Sequence, residues 1–149
     1  MRSGGEGCTR FGVPVALLAL VAIAASASAD AMRASDETQL ARGRYLAHDV
    51  AMCVQCHTPR DERGDLDLTR LFAGAPIPVG SPFPHRPWAF QAPALAGLPG
   101  WTDADAITLL MTGHRPSGVS PSPPMPSFRF THDDAAAVVG YLRSLGAGR

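Results

Sequence analysis

The stretch AMCVQCHTPR, residues Ala51 to Arg60, places Cys53, Cys56 and His57 within five positions. Cys-x-x-Cys serves three chemistries: a redox disulfide, half of a zinc site, and, when His follows at once, covalent haem attachment. A thioredoxin-like dithiol expects a βαβ context. Here a helical pattern precedes the cysteines and no strand does. A zinc site wants four ligands, commonly in two pairs. His57 directly beside Cys56 is awkward for such a pair, and the remaining cysteine, Cys8, lies far upstream. Haem attachment fits C-V-Q-C-H letter for letter. Two sulfurs add to the two vinyl groups on one haem edge. Val54 and Gln55 separate those sulfurs along a helical turn, and His57 then points its imidazole at the iron.

An iron with one protein ligand is a potential catalyst, whereas one with two mainly carries electrons. The downstream candidates for a second ligand are His85, Met111, His114, Met125 and His132. Met111 falls on the apolar stripe of a predicted helix, where packing is its default role. His132 opens another helix, His114 follows a helix-closing glycine, and nothing marks His85 in its loop. Met125 differs because it stands between Pro124 and Pro126 in SPPMPSF. Prolines fix φ and reduce the entropy lost on ordering a loop. An iron–thioether bond is weak, so a stiff loop suits it, and Met125 is the expected second ligand.

Three helices must position these groups. The first is expected from about Glu37 to Val50, with Asp36 as N-cap and Leu40, Gly43 and Ala47 on one face. The second spans about Asp103 to Thr112, capped by Thr102 and closed by Gly113, with Ile107, Leu110 and Met111 as its apolar stripe. The third spans about His132 to Leu145, capped by Thr131, with Val138, Tyr141, Leu142 and Leu145 in register. Asp65 to Phe72 suggests one short helical turn. The connections Thr58–Trp101 and Gly113–Phe130 carry eight and five prolines and show no convincing strand alternation. Such long connections are unusual in a compact domain. They become reasonable if the loops wrap a large apolar cofactor.

The whole chain has 149 residues and 46% hydrophobic residues, enough for one domain. Arg2 and Arg10, the apolar run Val13 to Ala25, and Ala27-Ser28-Ala29 read as a secretory signal over residues 1–29, with Asp30 opening a domain over residues 30–149. Cys8 would leave with that signal. Removing it takes Arg2, Arg10 and Glu6 from the totals of 13 basic and 13 acidic residues, leaving 11 Arg against 12 Asp plus Glu. That balance predicts no nucleic-acid partner, and membrane attachment only if the leader is retained. The chain contains no lysine.

The segments RGRYL (Arg42–Leu46), CVQCHTPRDERG (Cys53–Gly64), APALAGL (Ala92–Leu98), GWTDADAITLLMTG (Gly100–Gly113) and PPMPSFRFTHDDAAAVVGYLRSL (Pro123–Leu145) together resemble the class I c-type cytochromes. The likeness is to small monohaem cytochromes and to the cytochrome domains of periplasmic dehydrogenases. It implies an all-α fold with three main helices and long Pro/Gly-rich loops around one covalently bound haem c. It also implies a close crossing of the first and last helices at Gly43. A carbonyl near Pro93 is expected to accept the His57 Nδ1 proton, and Trp101 and Arg115 are candidates to face the haem propionates. The stretch Gly74 to Pro87 lies outside the shared motifs. The resemblance implies a periplasmic single-electron carrier with no catalytic residue. Its redox partner would be a dehydrogenase, an oxidase or another cytochrome. It is either a free shuttle or a subunit of a dehydrogenase complex. The alternative is a peroxidase-like haem enzyme with an open iron.

Overall fold

The computed structural model describes residues 32–146, and the leader, its cleavage site and Cys8 lie outside that range. Residues 32–45 form helix α1. Asp36 therefore sits within helix rather than capping it. From Leu46 to Val50 the helix widens into a π turn, which ends at Met52 in a left-handed conformation (φ 53°). Non-glycine residues rarely adopt this region. Here it redirects the chain into the short helix α2, Cys53–His57.

A single 3₁₀ turn, Leu68–Arg70, stands where DLDLTRLF suggested one. Two strands of two residues each, β1 (Ala75–Pro76) and β2 (Gln91–Ala92), pair antiparallel with Ala75 opposite Ala92. No strand is expected here from the sequence, because two residues are too few for alternation to register.

Helices α3 (Asp103–Thr112) and α4 (His132–Ser144) match expectation to within one residue. Thr102 Oγ1 accepts from Asp105 N at 3.1 Å, and Thr131 Oγ1 accepts from Asp134 N at 3.2 Å. Acidic residues fill both first turns, where the helix dipole favours them. Gly113 closes α3 at φ 74°.

Two stripes of α4 do different work. Ala137 and Tyr141 face α1, while Val138, Val139 and Leu142 face a central cavity. Gly43 is buried at the crossing, and a Cβ there would overlap the Ala137 carbonyl and Tyr141 Cβ. Leu40, expected on the same face, is 37% exposed; Gly43, Leu46 and Ala47 make the contact instead. The obstacle at Gly43 is backbone, which cannot rotate away. Gly43→Ala should therefore cost about 3 kcal/mol or more, the upper end for overpacking, read as a lowered thermal midpoint of the haem-loaded protein.

A polar pair seals the same crossing. His48 Nε2 and the Tyr141 hydroxyl share a 2.8 Å hydrogen bond, and both rings meet Phe72 edge-on. Burial, then the nearby Arg44, pushes the His48 pKa down, which keeps this packed imidazole neutral.

Candidate functional site

Helix α2 explains the cysteine spacing. Residues three apart share a helix face, so Cys53 and Cys56 both reach one cavity, and His57 lines it too. The cysteines are not bonded to each other. Burial, reinforced by Cys56, raises the Cys53 pKa to about 11. A reactive redox thiol needs the opposite shift. Among the described residues, no three His, Cys, Asp or Glu side chains gather to hold a metal ion.

His57 is held by the fold rather than by its neighbours in sequence. Its Nδ1 donates to the Pro93 carbonyl at 2.7 Å, which leaves Nε2 as the ring's lone-pair nitrogen. Burial lowers the His57 pKa, partly opposed by that carbonyl. The turn carrying Pro93 is itself tied back. Phe72, fully buried and at φ 54°, accepts from Leu95 N and Ala96 N. Phe72 N in turn donates to Oγ1 of buried Thr58 at 3.0 Å. Gly74 N donates to the His57 carbonyl at 2.9 Å. Gly74 has φ 83°, and a Cβ there would come within 2.8 Å of Ala94 N. Thr58, Phe72 and Gly74 were not singled out from the sequence for this role.

The cavity holds about 320 Å³, within the range of cofactor sites, roughly 300–1,000 Å³. The loop before α4 contributes Pro124, Met125, Pro126 and Phe128 to the same cavity. Met125 is half-buried at the wall. Trp101 and Arg115 also line the cavity, with the guanidinium 5.1 Å from the indole centroid. The remaining candidates fall elsewhere. Met111 packs against the core, and His85, His114 and His132 are exposed and absent from the wall. Ala106 and Leu109 of α3 line it together with Leu110 of the expected stripe, while Ile107 and Met111 pack against the core.

Arg143, unmarked in the sequence, pins the turn before α3 to α4. Its guanidinium donates to the carbonyls of Gly97, Leu98 and Trp101 and to Asp103 Oδ1.

An apolar cavity faced by two cysteines, an oriented imidazole and a thioether defines a protein that carries a covalently bound porphyrin in an all-α fold. The chain belongs to the cytochrome c family, whose profile matches residues 40–146. The cofactor of this family is covalently bound haem c, and Cys53, Cys56 and His57 fit its Cys-x-x-Cys-His motif. The chain is 36% identical over 111 residues to the fructose dehydrogenase cytochrome subunit of Gluconobacter japonicus, covering 71% of this chain and 22% of that protein. It is 31% identical over 122 residues to the cytochrome c subunit of a quinone-type alcohol dehydrogenase from Gluconacetobacter polyoxogenes, covering 73% and 25%. It is 28% identical over 122 residues to the gluconate 2-dehydrogenase cytochrome c subunit of Pantoea cypripedii, covering 76% and 28%. The chain thus spans about a quarter of the length of these relatives.

Proposed function

We propose that this chain is a periplasmic single-haem electron carrier serving a dehydrogenase. Cys53 and Cys56 would provide the thioether links to the haem, and His57 and Met125 would hold its iron. The observation that carries this reading is the convergence of all four side chains on one cavity. When bound, the haem supplies a one-electron iron couple. The chain's own residues set its conditions. Pro93 fixes the imidazole through Nδ1, so ring rotation does not accompany electron transfer. The stiff Pro124-Met125-Pro126 segment holds the thioether, which favours the reduced state relative to a second imidazole. Walls from Leu109, Leu110, Val138, Val139 and Leu142 exclude water and act in the same direction. Arg115, stacked on Trp101, supplies a cation for the propionates.

Export supports the same reading, because residues 1–29 have the form of a secretory signal. Among the described residues, no helix is long and apolar enough to cross a membrane. The dehydrogenase partner is drawn from the relatives, which are dehydrogenase subunits. Optical and EPR spectra of the purified protein test the ligation. A low-spin, six-coordinate centre is expected in both redox states. A five-coordinate, high-spin resting centre would instead indicate an open-iron enzyme.

A further inference from the structure

Formal charge is zero overall, with 13 basic and 13 acidic residues, but the charges are not evenly placed. No Asp or Glu occurs between Asp67 and Asp103, nor between Asp105 and Asp133. These two segments hold Arg70, Arg86, Arg115 and Arg129. They also supply most of the cavity wall outside α2 and α4, from Ile77 to Trp101 and from Ala106 to Phe128. The walls of the redox cavity therefore come largely from acid-free, arginine-bearing chain. Arg70 is neutralised by Asp67 at 2.6 Å. Arg86 and Arg115 have no ion-pair partner among the described residues. Each lies over an aromatic ring instead, Phe83 at 5.3 Å and Trp101 at 5.1 Å.

One part of this wall is built to project. Ile77 N donates to the Phe90 carbonyl at 2.9 Å, just beyond the β1–β2 pair, so the ends of 77–90 are held together. Trp88 Nε1 reaches back to the Val79 carbonyl at 3.0 Å, and Ser81 caps the turn at Phe83. The segment is an Ω-loop in size and in being closed by its own side chains, about 6–16 residues. Its base is fixed on the redox site. Ile77 and Ala89 line the cavity, and Ala89 N donates to the Pro123 carbonyl of the Met125 segment at 2.7 Å. Its outer surface is apolar and basic. Val79, Phe83 and Phe90 are 53%, 54% and 79% exposed, and His85 and Arg86 are exposed beside them.

We infer that the loop 77–90, centred on Arg86, is a docking surface for an acidic, partly apolar patch on the redox partner protein. This rests on the reading above that the chain carries electrons. Exposed aromatic and arginine side chains are the types enriched at protein interfaces. The unpaired Arg86 guanidinium supplies complementarity to carboxylates, which steers encounter and fixes register. An anionic membrane is a poorer fit, because lipid recognition takes clusters of about four to eight basic residues, and this loop offers one arginine, Arg86. The loop's attachment to the Met125 segment places a docked partner next to the site of electron exchange.

The test uses the haem-loaded protein on gold electrodes coated with carboxylate-terminated or ammonium-terminated alkanethiols. The interfacial electron-transfer rate should be higher on carboxylate. Arg86→Glu should lower that rate about fivefold at low salt, within the range of charge steering. The loss should fade when salt shortens the Debye length to a few ångström. Arg63→Glu makes the same charge change on the segment bearing Asp61 and should leave the rate within twofold of the parent. Equal losses in both variants, or none in either, would overturn the docking surface while a reversible wave kept the electron-carrier reading intact. No wave on either coating would overturn both. Arg86-dependent cosedimentation with phosphatidylglycerol vesicles would reassign the patch to lipid and also overturn the proposal.

Discussion

A chain carrying Cys53→Ala and Cys56→Ala together should accumulate without covalent haem, giving no haem-stained band on a denaturing gel. Its fold should fail as well. The cavity measures about 320 Å³, and without haem its apolar walls would stand open to water, at about 25 cal/mol for each Å² exposed. Whole domains are stable by only about 5–15 kcal/mol. The loops offer little to offset this loss, since β1 and β2 pair over two residues each and most of the buried hydrophobic residues come from helices. The double variant should therefore show no cooperative thermal transition by circular dichroism, while the haem-loaded parent does. A persisting covalent band would remove these cysteines from haem attachment. A cooperative transition in the haem-free variant would mean that the protein core stands without its cofactor.

The parts legible in the sequence are those whose signals are local. Thr102 and Thr131 announce α3 and α4 because a cap bonds to an amide three residues on. The cysteine motif is legible because one helical turn brings Cys53 and Cys56 to the same face. What escaped is long-range. Arg143 meets carbonyls more than forty residues away, His48 meets Tyr141 across 93 positions, and Thr58 holds Phe72 through a main-chain amide. No periodicity encodes such pairs. The carbonyl near Pro93 was legible only through family resemblance, and the structure places that hydrogen bond on Pro93 itself. The loop 77–90 escaped for a different reason. Its closure depends on main-chain bonds and an indole reaching a carbonyl, so its prolines read simply as irregular chain. Asp36 misled because a good capping residue does not stop a helix that already surrounds it.

Met125→Ala should lower the reduction potential by on the order of 0.1–0.2 V, a fraction of the roughly 0.8 V that axial ligands span across haem proteins. The sign follows from ligand chemistry, since a thioether favours ferrous iron over ferric. Replacing it with water or a nitrogen base removes that preference. The same variant should bind azide or imidazole, which the parent, with Met125 as the proposed second ligand, should resist. Met111→Ala is the matched control. Met111 packs against the core and does not line the cavity. Its truncation should cost about 2 kcal/mol of stability, the low end for a methionine that is only partly buried, and should leave the potential unchanged. The two methionines thus separate ligation from packing: one moves the potential and ligand access, the other only the unfolding midpoint. The reverse pattern would transfer the axial role to Met111 and require α3 to rotate its stripe into the cavity. An unchanged potential in both variants would remove sulfur from the iron altogether.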